Sequence, residues 1–145
     1  MELKRFFKFS TRVALATGTF FLIGKASAKR ESKVQRYGQV IGIKPQKIEY
    51  YKQLHAGTWP GVLKTIRESN IRNYSIYLRE IEPGKFYLFS YFEYTGDNFE
   101  DDMAKMAADP TTQKWWEETD PCQVPILTRG EKEFWSRMEE VFHLD

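Results

Sequence analysis

The residues of this 145-residue chain that could do chemistry are a few polar aromatics around one histidine. Tyr51 and His55 stand four residues apart in a segment with helical periodicity, so their side chains lie on the same helix face. An imidazole with a pKa of about 6.5 can give and regain a proton near neutral pH. Tyr74 begins a predicted strand beside that helix, and Trp115 and Trp116 form a doublet in a short helix. The pattern alone allows two interpretations, packing in the core and acid–base chemistry in an aromatic pocket.

Several common classes of site are excluded by the residues that the chain lacks. Its one cysteine, Cys122, rules out a disulfide framework, a thiolate zinc site and an iron–sulfur cluster. Two histidines leave little for an all-protein transition-metal site. The sequence contains no P-loop, GxGxxG, GxSxG or HExxH pattern. Cys122 itself is expected to be a small buried residue, because nothing near it in the sequence would lower its pKa.

The N-terminal segment has the three-part pattern of a secretory signal peptide. Residues 1–28 hold five of the 22 basic residues and one of the 20 acidic ones, and an apolar run covers 13–23. The segment ends in the small-residue sequence Ala-Ser-Ala, so we expect cleavage after Ala28. The apolar run is shorter than the ~20 residues that span a bilayer. An uncleaved membrane anchor is the alternative.

Removal of the signal peptide changes the charge balance of the protein. The full chain has a formal net charge of +2, whereas the part after residue 28 has about −2. Such a domain lacks the basic surface that binds nucleic acid. We therefore expect a periplasmic or secreted protein with a flexible leader at 29–36, one domain at 37–145, and no nucleic-acid or membrane partner after cleavage.

Hydrophobic periodicity predicts an alternation of strands and helices in the domain. A split in the first helix is expected at Pro60, which lacks an amide hydrogen, with Thr58 as the cap of the second half. The turn sequence at 82–85 predicts a hairpin. The predicted strands lie at 37–43, 74–78, 86–94 and 140–143, and the helices at 46–54, 58–68, 96–108 and from 109 onward, with a loop over 121–129.

This order, β-α-β-β-α-β, predicts a ferredoxin-like α+β fold with helices on one face of a four-stranded antiparallel sheet. The sheet leaves its other face open. Since the strand at 86–94 is aromatic along nearly its whole length, we expect a second copy to cover that face. The predicted assembly is a homodimer of the dimeric α+β barrel type.

Five short motifs in order make the chain similar to the L-rhamnose mutarotase family. They are YKQLH at 51–55, TWP at 58–60, NYSIY at 73–77, WW at 115–116 and EVF at 140–142. The resemblance runs from about residue 36 to the C-terminus and implies a small dimeric α+β protein. It also implies that His55 is the catalytic proton donor, and that the sugar is contacted by Tyr51, Tyr74, Trp115 and Trp116.

The function that this resemblance implies is the interconversion of the α and β anomers of L-rhamnose. The sugar ring opens and recloses by general acid–base steps that need no metal or cofactor. L-fucose or another 6-deoxyhexose is an alternative substrate. Two rival functions are a cofactor-free monooxygenase on the same fold and a non-catalytic sugar-binding dimer. The chain departs from the family in its signal peptide and in Ala56-Gly57-Thr58, where bacterial members commonly have a polar residue after the histidine.

Overall fold

The computed structural model of the protein describes residues 34–144. The predicted signal peptide, and all but the last three residues of the predicted leader, lie outside the described residues. The elements in chain order are strand β1 (Gln35–Ile43), helices α1 (Ile48–Ala56) and α2 (Pro60–Glu68), strands β2 (Ile71–Glu82) and β3 (Lys85–Tyr94), helices α3 (Phe99–Ala108) and α4 (Pro110–Thr119), and strands β4 (Gln123–Val124) and β5 (Ser136–Met138), with 3-10 turns at Pro45–Lys47 and Asp120–Cys122. Within this part of the chain, no helix has the length and apolar character needed to cross a bilayer.

The strands form one antiparallel sheet in the order β2-β3-β1-β4, with β5 also paired to β1. β3 pairs with all of β1, from Gln35 opposite Tyr94 to Ile43 opposite Phe86. The two last strands share the other edge of β1: β4 beside Gly42 and Ile43, and β5 further along. A Cβ on Gly42 would lie 2.8 Å from the carbonyl oxygen of Val124, so glycine permits the close approach of β4. The predicted α+β, ferredoxin-like fold is confirmed, with five strands where four were expected.

The local sequence explains where α2 and α4 begin, although one predicted cap is not used. Proline occupies the first turn of α2 and of α4, where its missing amide hydrogen costs nothing. Asp109 caps α4 by accepting a 2.7 Å hydrogen bond from the backbone amide of Thr112. The prediction that Thr58 caps α2 is wrong, because α2 starts at Pro60 and its cap position is therefore Trp59. The Thr58 hydroxyl instead donates to the carbonyl oxygen of His55 at 2.9 Å.

The helices cover one face of the sheet, and the core there is divided into two parts. One cluster surrounds Tyr37 and Phe92, and the other surrounds Ile41 and Leu88. These two pairs are opposite one another in the β1–β3 register, and the pair between them is Gln39 opposite Ser90. Both polar residues are buried. A polar row therefore crosses the face of the sheet that packs against the helices.

A bulge in β2 changes which residues face the helices. The register between β2 and β3 shifts between Arg72 and Ser75, and Asn73 adopts a positive φ of 48°. Asparagine tolerates this left-handed conformation better than most residues. Because of the extra residue, Ile71 and Tyr74 point to the same side of the sheet although they are three residues apart. Simple alternation along the strand does not predict this.

The end of the chain differs from the prediction. Residues 139–144, including the predicted strand at 140–143, form no regular element, and the last strand is β5. A strand requires a hydrogen-bonding partner. The edge of β1 that does not pair with β3 is occupied by β4 and β5. The tail exposes its apolar residues, with Phe142 78% accessible. The predicted loop at 121–129 contains β4, and β1 begins two residues earlier than expected, inside the predicted leader.

Candidate functional site

A cavity of about 360 Å³ lies between the helices and the polar row of the sheet. A second cavity of about 550 Å³ adjoins it. These volumes are typical of small-molecule sites. Of the residues predicted for the site, Tyr51, His55, Tyr74 and Trp115 line both cavities and Trp116 lines the first. The structure therefore brings all five together.

The ring of His55 is held in one orientation in the last turn of α1. Its Nδ1 atom lies 2.9 Å from the carbonyl oxygen of Tyr51. A carbonyl can only accept a hydrogen bond, so Nδ1 carries the proton and Nε2 is the basic nitrogen of the neutral ring. The Tyr51 ring lies 4.1 Å from the imidazole between centroids, and the Trp115 indole makes an edge contact at 5.2 Å.

The surroundings of His55 favour its neutral form. Burial lowers the pKa of its imidazole below the ordinary 6.5, and the hydrogen bond to the Tyr51 carbonyl opposes that shift only in part. At pH 7 the ring is therefore mostly neutral. Nε2 can accept a proton from a bound hydroxyl, and the resulting imidazolium is an acid strong enough to release it.

The two tyrosines supply hydroxyl groups that stay protonated. Burial raises the pKa of the Tyr51 phenol far above its usual range, and raises the pKa of Tyr74 to about 12, although 44% of the Tyr74 residue surface is accessible. The Tyr51 oxygen accepts a long hydrogen bond, 3.4 Å, from Nε2 of Gln123. Both phenols are hydrogen-bond donors at neutral pH rather than bases.

The two tryptophans have different surroundings. Trp115 is buried and makes edge contacts with His55 and, at 5.4 Å between centroids, with Trp59. Trp116 is half-buried against the cluster around Tyr37. Adjacent helical residues point about 100° apart, and both indoles nevertheless reach the first cavity. Together they give it an aromatic wall.

Several cavity residues were not identified from the sequence. They are Gln39 on β1, Asp120 and Gln123 before and in β4, and Phe134 and Trp135 in the segment before β5. Gln39 had a detectable signal, because it stands on the inward face of a predicted strand between Tyr37 and Ile41. β4 is two residues long and left no periodic pattern.

Two further findings concern metals and the cysteine. Among residues 34–144, no group of three or more histidine, cysteine, aspartate or glutamate side chains could hold a metal ion. Cys122 is buried, as predicted, and burial raises the pKa of its thiol. The polar groups that line the first cavity include imidazole, phenol and amide groups and the carboxylate of Asp120.

The chain is similar to known proteins over nearly all of its described part. Residues 36–144 match the family described as L-rhamnose mutarotase. The L-rhamnose mutarotase of Oceanobacillus iheyensis is 29% identical over 112 residues, which cover 77% of this chain and all of that protein. The L-rhamnose mutarotase of Lactiplantibacillus plantarum is 26% identical over 110 residues, 76% of this chain and 98% of that protein.

Solved structures share the fold at lower sequence identity. The crystal structure of an L-rhamnose mutarotase from Formosa agariphila superposes with a TM-score of 0.57 at 19% identity, over 77% of this chain and 99% of that one. Tetracenomycin F2 cyclase from Streptomyces glaucescens has a TM-score of 0.55 at 15% identity, over 77% and 97% of the two chains. The same fold therefore occurs in proteins with different activities.

We predict that His55 titrates below pH 6.5, because burial disfavours its charged form. As the pH falls below about 6.5 the unfolded chain binds this proton first, so the free energy of unfolding declines until the folded ring also titrates. Proton NMR of the imidazole Cε1–H against pH measures the shift. Loss of that resonance in His55→Ala assigns it. A pKa of 6.5 or higher would contradict the stated effect of burial.

Proposed function

The chain belongs to the L-rhamnose mutarotase family, and we propose that it interconverts the α and β anomers of L-rhamnose without a cofactor. One observation carries the proposal: Nδ1 of His55 is fixed on the Tyr51 carbonyl, so the basic Nε2 remains for a ligand in the cavity. Two protonated phenols, Tyr51 and Tyr74, line the same space. Opening a sugar ring needs a group that moves a proton and donors that stabilise the leaving oxygen.

In the proposed reaction, His55 moves one proton between two oxygens that are both bonded to the anomeric carbon. Nε2 takes the proton of the anomeric hydroxyl, the bond between C1 and the ring oxygen breaks, and a carbonyl forms at C1. The ring oxygen accepts a hydrogen bond from a tyrosine hydroxyl and then receives the proton from the imidazolium. Rotation about C1–C2 and the reverse steps close the ring on the other face. His55 thus acts first as base and then as proton donor.

The cavity walls suit a 6-deoxy sugar. The faces of Trp115 and Trp116 can cover the C–H side and the methyl group of the sugar, an apolar contact worth ~25 cal/mol per Å² buried. The amides of Gln39 and Gln123, on the sheet side, can take its hydroxyls. L-rhamnose is the sugar named in the description of the family. L-fucose shares the methyl group but differs in the orientation of its hydroxyls.

We predict that the domain accelerates anomerisation of L-rhamnose and that His55→Ala slows it by roughly 10²- to 10⁴-fold, the usual contribution of a general acid–base group. The measurement is saturation-transfer proton NMR, in which one anomeric proton is saturated and transfer to the other is followed. Gln53→Ala, an exposed change on the same helix, serves as the control and should keep full activity.

The outcomes of this experiment separate the candidate functions. Transfer that survives in His55→Ala would keep the activity and move the proton-transferring group elsewhere. Faster transfer with L-fucose than with L-rhamnose would change the substrate. If a correctly folded protein binds either sugar but accelerates neither, the protein is a sugar-binding module. Oxygen consumption with an aromatic substrate would favour a monooxygenase.

We further propose that the active form is a homodimer in which a second copy covers the outer face of the sheet. Tyr77 on that face is 63% accessible, and Phe89 and Tyr91 beside it are only half-buried. The apolar tail residues Val141 and Phe142 are also exposed. Apolar patches of this kind on a small protein are typical of interaction surfaces.

The dimer proposal predicts a mass of two chains in sedimentation or light scattering. Tyr77→Glu should shift the protein toward one chain, because it places an unpaired charge in the proposed interface. Gln53→Glu adds the same charge on the helix side of the molecule and should leave the mass unchanged. A wild-type protein that runs as a single chain at micromolar concentration would contradict the proposal.

Export of the protein is proposed from the composition of residues 1–28 alone. We predict that protein purified from producing cells begins at Lys29, as N-terminal sequencing would reveal, and that it is found in the periplasm or medium. An intact Met1 in the membrane fraction would support the uncleaved anchor instead. An intact Met1 in the cytosol would contradict export.

A further inference from the structure

Gln123 lines the cavity and carries a buried hydrogen-bond acceptor with almost no accessible surface. The residue is only 8% accessible, and it lies opposite Ile43 on the side of the sheet that faces the helices. The amide nitrogen donates to the Tyr51 hydroxyl at 3.4 Å. Its Oε1 atom has no hydrogen-bond partner among residues 34–144 and is shielded from bulk solvent. The residue lines the same cavity as His55.

The position of this amide is set by the backbone and not by a flexible loop. The Lys44 amide donates to the carbonyl oxygen of Cys122 at 2.9 Å, and the Lys44 ammonium donates to that of Pro121 at 2.7 Å. β4 then pairs with the end of β1. These contacts fix the backbone at Gln123 beside the cavity. A buried acceptor that is held in place without a partner is costly unless a ligand or water supplies the donor.

The hydrogen-bonding capacity of the cavity suggests what that ligand group is. Tyr51 and Tyr74 offer donors, and Nε2 of His55 is committed to the reacting proton in the proposed mechanism. Each remaining sugar hydroxyl also has a proton to donate, for which the cavity must provide an acceptor. Oε1 of Gln123 is such an acceptor. Its amide nitrogen meanwhile occupies the Tyr51 oxygen from one side, which leaves the phenolic proton directed toward the substrate.

We propose that Gln123 is a sugar-binding and specificity-determining residue: its amide turns toward the bound sugar, so that Oε1 accepts a hydrogen bond from one non-anomeric hydroxyl, while Nε2 stays beside the Tyr51 hydroxyl and orients it as a donor. This inference rests on the proposed function, since it assigns a role within the same site. It makes one hydroxyl of the 6-deoxyhexose essential. A site built to pair with a hydroxyl rejects analogues that lack it, because its polar group is then left buried and unpaired.

The test combines variants with deoxy sugars. Binding by calorimetry and anomerisation by NMR are measured for L-rhamnose and for its analogues lacking the 2-, 3- or 4-hydroxyl. In the wild type, one analogue should bind roughly tenfold or more weakly than L-rhamnose, as expected for loss of one buried hydrogen bond. Gln123→Met keeps the shape of the side chain without the amide, and it should bind L-rhamnose about as weakly as the wild type binds that analogue. The variant should bind L-rhamnose and the analogue with equal affinity. Gln53→Met is the matched control and should behave as wild type.

Several outcomes would overturn the inference. They are equal binding of all sugars by the wild type, unchanged binding of L-rhamnose by Gln123→Met, or losses from variant and analogue that simply add. If Gln123→Met does not fold, judged by its thermal unfolding, Gln123→Glu keeps an acceptor of the same shape. Gln123→Glu should still bind L-rhamnose more tightly than that deoxy analogue, and loss of this preference in Gln123→Glu would also overturn the inference. A wild type that binds L-rhamnose but does not anomerise it would refute the proposed function without deciding the role of Gln123, which the binding data decide.

Discussion

Three buried polar side chains interrupt the apolar inward face of the sheet, and the candidate site is built beside them. Gln39, Ser90 and Gln123 lie where an apolar layer would otherwise be continuous. Burying amides against hydrocarbon is unfavourable unless they are hydrogen-bonded. The core forms two clusters on either side of Gln39 and Ser90. Helix α1 places an imidazole and one phenol at the adjoining cavity, and strand β2 places the second phenol there.

The helix that carries His55 also determines its chemistry. The carbonyl that fixes the ring belongs to Tyr51, one turn earlier on the same helix, so the orientation depends on no distant element. Trp115 reaches the same ring from another helix and helps to exclude water from it. Burial then keeps the imidazole neutral while it raises the pKa values of the neighbouring phenols. A single buried environment thus favours one neutral imidazole and two protonated phenols.

The sequence allowed the helical part of the site to be predicted, because helical spacing is local information. Tyr51 and His55 at four-residue spacing, and the tryptophan doublet after Pro110, lie where the pattern placed them. The sheet contributes residues whose positions depend on partners far along the chain. The bulge at Asn73 shifts the phase of β2, and β4 exists only because β1 offers it an edge. For the same reason, the strand predicted at 140–143 is not formed, since these residues have no strand partner among residues 34–144.

Gly42 has no side chain in the cavity, yet the geometry of the cavity depends on it. Any other residue there would collide with the Val124 carbonyl and displace β4, and Gln123 moves with that strand. Under the proposed role of Gln123, a substitution at Gly42 would change substrate preference although Gly42 does not line either cavity. In a deep mutational scan, residues that tune selectivity would extend beyond those lining the pocket. A comparison of paralogues limited to contact residues would overlook this glycine.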